Sequence, residues 1–205
     1  MFQDVTPSVR ALLIANIGIY LLQQWLMGAA ALIPYELWPW TAYPVYGAYP
    51  FEPWQLVSYA FLHGSYGHLV ANMFALLIFG PDVERLFGTR YFLLYYFVCA
   101  VTAAVAQMIV SLVVPDAAGP TIGASGAIFG ILLAYGMAFP RRQLLFLFVI
   151  PIRAWLFVTL YGLFELGMGV FGYEQGVAHF AHIGGMVGGY LLIWYWRMRH
   201  RARPR

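Results

Sequence analysis

The sequence predicts an all-α polytopic membrane protein: a single bundle of six membrane-spanning helices, with an element at the membrane interface between the first two. Three observations predict it. Of 205 residues, 62% are hydrophobic and 9% charged, whereas a soluble domain carries roughly 25% charged residues, so the chain cannot clothe a water-facing surface. Its apolar stretches leave room for about six segments of the ~20 residues that a bilayer requires. The eleven basic residues are all Arg, and with six crossings every one falls on the same side.

In chain order, the first span is expected over 11–33, unbroken by charge. Its apolar run is longer than that of a removable signal peptide, and no A-x-A-like site follows before Pro34. Asn16, Gln23 and Gln24 within it are expected to face other helices. The segment "PYELWPWTAYPVYGAYPFEPW" is too long for a turn and too rich in Pro for a span. Its Trp and Tyr residues suit the headgroup layer, which predicts an outer-face element. Spans two, three and four are expected over 54–79, 91–114 and 122–139, the last stopped by Pro140. "RRQLLFLFVIPIRAW" is too short to cross and is expected to return along the cytoplasmic face. Spans five and six are expected over 154–168 and 178–196.

Arg10 precedes span one, Arg85 and Arg90 follow span two, and Arg141, Arg142 and Arg153 separate spans four and five. The basic tail "RMRHRARPR" follows span six. The other side holds Glu36, Glu52, Asp116 and Glu174, with Glu165 near the end of span five. The positive-inside rule then places both termini in the cytoplasm. A formal net charge of +3 is thus read as topology and as attraction of the tail to anionic lipid, not as binding of nucleic acid. The one cysteine, Cys99, lies within an apolar run, which excludes a disulfide framework and a thiolate metal site. No soluble domain or internal repeat is evident, so residues 1–205 read as one domain.

Polar side chains within spans are costly and commonly functional, and four stand out: His68, Asn72, Ser125 and His182. With spans four and six both entering from outside, Ser125 and His182 share a level just below the outer surface. A regular helix from Trp54 would bury His68 ~20 Å deep, too deep for a site that uses water. If the residues after Trp54 belong to the interfacial element, His68 lies shallower. Gly126 and Gly130 form one G-x-x-x-G pair, Gly185 and Gly189 another, and such ridges let helices approach closely. Should the ridges meet, His182 would lie within reach of the Ser125 hydroxyl as its general base. His68 and Asn72, one turn apart, could both donate to an oxyanion.

At this point a serine that merely packs between helices remains an equal alternative. A metal or haem protein is a lesser alternative. His179 and His182 resemble half a metal site, with Glu165 or Glu174 as further ligands, and His63 or His68 could face His182 across a haem. The H-E-x-x-H motif is absent, Phe180 standing where its Glu would be. The G-x-S-x-G elbow also fails, at Ala127.

Three motifs in order resemble the rhomboid family of intramembrane serine proteases: "HLVAN" in span two, Gly123-Ala124-Ser125 in span four, and "HIGGMVGG" in span six. The resemblance runs from about Arg10 to Arg199. It implies Ser125 as nucleophile, His182 as general base and acid, and His68 and Asn72 as the oxyanion hole with the Ser125 N–H. Gly123, Gly126, Phe129, His179, Gly185 and Gly189 are implied as supporting residues. Phe129 is implied to pack on the catalytic His, while Glu84 and Gly88 of "VERLFG" are implied to be structural, as is His63. Where relatives often have Trp-Arg before span two, this chain has Trp54-Gln55.

The resemblance further implies hydrolysis of spans of other membrane proteins near the extracytoplasmic face, through an acyl-enzyme and without metal or cofactor. No Asp or Glu is expected within reach of His182, which implies a Ser–His dyad. Gly167, Gly169, Gly172 and Gly176 are expected to make the loop before span six mobile enough to act as a lid. A non-catalytic rhomboid-like protein that binds spans is the alternative. A bacterial plasma membrane is the expected location, because no transit-type presequence appears.

Overall fold

The computed structural model describes residues 5–27, 29–40, 49–114, 119–146, 149–171 and 178–201. Helix α1 (Pro7–Leu22) continues through a π-helical turn (Gln23–Met27) and a 3₁₀ segment (Ala29–Tyr35). A short helix α2 (Gln55–Ser58) leads through a 3₁₀ turn (Tyr59–Phe61) to α3 (Tyr66–Phe87). Then follow α4 (Thr89–Ser111), α5 (Ser125–Ala138), a hairpin of strands β1 (Gln143–Phe146) and β2 (Ile150–Arg153), α6 (Ala154–Phe171) and α7 (His179–Arg201).

Helix α4 lies at the centre, packed on α5 and most extensively on α7. Its buried face runs through Phe92, Tyr95, Tyr96, Cys99, Ala100, Ala103 and Ala104. Buried phenols bind opposing carbonyls: Tyr95 donates to Gly130 O at 2.8 Å and Tyr59 to Ala100 O at 2.7 Å. Helix α1 packs on α3, held at its first turn by a residue of distant sequence. Glu84 accepts from the N–H groups of Ser8 and Val9, both at 3.0 Å, and from the Thr89 hydroxyl at 3.0 Å. These amides at a helix start have no partner within the helix, and a carboxylate suits that end of the helix dipole. Gly88, with φ of 79°, makes the tight corner from α3 into α4.

The second expected span is not one regular helix: residues 55–61 and 66–87 are separate helices bent by 97°. Ser65 explains the break, because its side chain caps α3 by accepting from His68 N at 3.1 Å. The segment after Pro140, expected to return along the cytoplasmic face, folds as a β-hairpin, pairing Gln143 with Arg153 and Phe146 with Ile150. Both of its strands are mostly exposed. At its base Arg142 pairs with Asp82 of α3 and donates to the Tyr135 hydroxyl at 3.2 Å.

Among the described residues, α4 and α6 are each long and apolar enough to cross a membrane, and the bent α2–α3 pair would make a third span. Helix α5 has 14 residues, or ~21 Å, against a hydrocarbon core of ~30 Å. Ten of those residues are buried among other helices. Of the polar residues in the first span, Asn16 is fully buried and Gln23 donates to His63 O at 3.1 Å. Gln24, by contrast, lies on the outside of the bundle.

Candidate active site

Ser125 is the first residue of α5, placed there by the two residues before it. Gly123 has φ of 124°, a conformation that L side chains rarely adopt. A Cβ there would also lie 2.6 Å from His68 Cε1. Glycine thus both turns the chain into α5 and lets the imidazole of His68 come close. The segment leading in is pinned by backbone hydrogen bonds, Gly123 N to Tyr59 O at 2.9 Å and Thr121 to Leu37 in both directions.

His182 lies in the first turn of α7 and reaches Ser125 across a seam of small residues. A Cβ on Gly185 would overlap Gly126 O, and one on Gly126 would overlap the Ala103 methyl. Only bare backbone permits α4, α5 and α7 to converge this closely. The seam differs in one respect from a simple meeting of two ridges. Gly130 approaches Gly185 O and Cys99, but Gly189 faces Tyr95 and Cys99 of α4 rather than α5.

The resulting geometry is specific. His182 Nε2 lies 2.8 Å from Ser125 Oγ, within the reach of a nucleophile and its base. Phe129, one helical turn beyond Ser125, stacks on the His182 ring with centroids 4.3 Å apart and planes at 10°. The imidazole can therefore swing little about its Cβ–Cγ bond.

The other nitrogen of that ring has a partner the spacing did not reveal. His182 Nδ1 lies 2.7 Å from Glu165 Oε2, and His179 Nδ1 lies 2.7 Å from the same oxygen. The expectation that no acidic residue reaches His182 is thus wrong. Glu165 sits in the C-terminal half of α6, which packs against α7; its side chain turns inward and is buried. The only sequence signal was a carboxyl group in an otherwise apolar span, next to two histidines in the following one. Glu165, His179 and His182 present donor atoms within 4.8 Å of one another, the residue types of a zinc site. The hydrogen bonds to the carboxylate already engage both Nδ1 atoms.

His68 and Asn72 occupy one face of α3, as the third and seventh residues of that helix. The break before Tyr66 removes the depth problem, for His68 lies within the first turn rather than deep in a long span. Asn72 Nδ2 donates to His68 O at 3.0 Å, which leaves its second amide hydrogen to bind a further acceptor. His68, Asn72, Ser125, Phe129, His179 and His182 all line one open cavity of about 1020 Å³. His63 is fully buried behind the site, its ring edge-on to His68 at 5.0 Å; it does not face His182 as a second haem ligand would.

Two further expectations meet the structure here. Gly167 and Gly169 lie inside α6, not in a loop, and Gly172 and Gly176 lie outside the described residues. Gln55 is fully buried and ties together residues of the segment before α2: it accepts from Trp38 N at 3.1 Å and donates to Pro34 O and Pro50 O at 3.2 and 3.1 Å. Three bonds from one amide anchor the loop without an arginine.

The Rhomboid domain profile matches residues 50–199, which is most of the chain and includes every residue of the cavity named above. The chain belongs to the rhomboid family. This rhomboid is 34% identical over 156 residues to "Rhomboid protease GlpG" of Haemophilus influenzae, covering 74% of this chain and 73% of that protein. It is 34% identical over 151 residues to the yeast "Rhomboid protein 1, mitochondrial", covering 68% of this chain and 41% of that one. With "Rhomboid protease GluP" of Bacillus subtilis it shares 33% over 139 residues, 68% of this chain and 25% of the relative. The chain thus spans less than half the length of the yeast and Bacillus proteins. Its relatives come from bacteria, mitochondria and chloroplasts. Family and apolar helices together make this an integral membrane protein.

Proposed function

We propose that this rhomboid is an intramembrane serine endopeptidase that cleaves transmembrane segments of other membrane proteins. The observation that carries this reading is the 2.8 Å contact between Ser125 Oγ and His182 Nε2 at the wall of an open cavity. Two relatives named as proteases support it.

Ser125 Oγ attacks the scissile carbonyl carbon as its proton passes to His182 Nε2. The carbonyl oxygen becomes an oxyanion, held by the Ser125 N–H, Asn72 Nδ2 and the His68 ring. Collapse breaks the C–N bond, and His182 returns the proton to the departing amine, leaving an acyl-enzyme on Ser125. Water, deprotonated by His182, then attacks the ester; the acid product leaves and Ser125 recovers its hydrogen. A helical substrate shields its own carbonyls, so the segment that is cut must unwind at the cavity.

The six-span topology with both termini cytoplasmic belongs to the same proposal. It sets the N-terminal end of α5, and hence Ser125, toward the extracytoplasmic side. A bacterial plasma membrane is the proposed location.

The test uses protein in detergent, a fluorophosphonate probe and a reporter carrying a membrane span. Wild type is expected to label and to cleave, and Ser125→Ala to lose both by at least about 10⁴-fold. Wild-type protein that does neither, indistinguishable from Ser125→Ala, overturns the reading.

A further inference from the structure

We propose that Glu165 is a positioning residue for catalysis, so that the site operates as a Ser125–His182–Glu165 triad whose carboxylate is itself held by His179. The inference rests on the protease reading above and extends it to a third group.

A carboxylate in a membrane span is expensive unless paired, and Glu165 is only 4% exposed. Packing alone would be met as well by Leu or Gln. Glu165 instead directs one oxygen at two imidazole nitrogens, each 2.7 Å away. An ionised carboxylate only accepts hydrogen bonds, so both Nδ1 atoms carry hydrogen. Neutral His182 is thereby confined to the tautomer whose Nε2 has a lone pair, and that nitrogen is the one facing Ser125 Oγ. Tautomer selection and ring orientation are what the third member of a Ser–His–Asp triad provides. When His182 takes the serine proton, the adjacent negative charge stabilises the imidazolium. Glu165 accepts no proton in either step.

His179 completes the arrangement. It shares a helix with His182, one turn away, and its ring lies nearly perpendicular to that of His182 at 6.3 Å. Its Nδ1–H holds Oε2 as well, so the carboxylate cannot rotate away from His182 without losing a second bond. Phe129 and Glu165 act in complementary ways. The stacked phenyl fixes the plane of the imidazole, and the carboxylate fixes which nitrogen bears hydrogen. His68, Tyr59 and Tyr161 are further titratable groups that line the same cavity as His182.

The experiment compares wild type, Glu165→Gln, Glu165→Leu and His179→Ala in the full chain. Active sites are counted by fluorophosphonate titration, so that kcat refers to folded protein only. Glu165→Gln keeps an acceptor of nearly the same shape but loses the charge; kcat is expected to fall about 100-fold with KM within about twofold. Glu165→Leu loses both, and about 10³-fold is expected. His179→Ala leaves the Glu165–His182 contact in place and is expected to lower kcat by about tenfold or less. In ¹⁵N-histidine-labelled protein, the His182 Nδ1–H resonance is expected far downfield in wild type and absent in Glu165→Leu. A purely structural Glu165 would lower the titrated fraction while leaving kcat per site unchanged. Values for Glu165→Gln within about threefold of wild type overturn the triad and leave the Ser–His reading standing. Where Glu165→Leu does not fold, Glu165→Gln decides alone. A wild type that fails to label overturns both.

Discussion

Helices α5 and α6 both bring a polar side chain to His182, yet they are held in opposite ways. In α5, ten of fourteen residues are buried, and its backbone lies bare against α7 at Gly126 and Gly185. In α6, three of eighteen are buried, namely Ala154, Val158 and Glu165. Serine and histidine are therefore carried by a seam in which a small shift costs packing on several sides. The carboxylate is carried by a helix whose outer surface is largely apolar and unsupported. The difference teaches where the site gets its precision: the 2.8 Å contact follows from the seam, and the 2.7 Å contacts follow from Glu165 itself. Those two hydrogen bonds also fasten α6 to α7, so positioning runs in both directions.

That contrast can be broken most directly at Gly185. Gly185→Ala must part α5 from α7, because its methyl would enter the Gly126 carbonyl. A loss of about 3 kcal/mol or a failure to fold is expected, with activity down at least about 100-fold, read by thermal unfolding and reporter cleavage. Wild-type behaviour would mean that the seam is slack. Val158 is one of the few anchors of α6 and faces Gly136 of α5. Val158→Ala is expected to lower stability by about 1–2 kcal/mol and activity by no more than about threefold. The loss here is one of packing, since lipid is as apolar as the protein interior. Smallest is Leu163→Ala on the outer surface of α6, where Leu163 is 60% exposed. A change within about 0.5 kcal/mol is expected, and a larger one would place a neglected contact on that face.

Some residues could be read from the chain because their chemistry is local. His68 and Asn72 stand one turn apart, while the Ser65 cap that starts their helix emerged only from the structure. "GASGAIFG" and "HIGGMVGG" announce close backbone approach, although which helix each glycine meets was not decided, as Gly189 on Tyr95 shows. Glu165 escaped because nothing in the period of span five says that its carboxyl turns inward. Its partners stand 14 and 17 residues later, on a different helix. Gln55 escaped for a similar reason: its bonds go to Pro34, Trp38 and Pro50, a pocket that exists only once the segment before α2 has folded back. The form of the return after Pro140 was open because a short apolar run between arginines fits a surface helix and a strand pair about equally.

Composition and order of residues by themselves determined that the chain lives in a membrane. They also singled out one serine and a few histidines as candidates for reactive chemistry. Those properties depend on transfer of side chains to lipid and on spacing within single helices, both of which are additive along a sequence. Tertiary structure alone decided that α3 begins at Tyr66, that α5 is short and enclosed, and that one carboxylate oxygen is shared by His179 and His182. Each of these depends on where separate segments come to rest against one another, and that is set by the whole packed bundle rather than by any part of it.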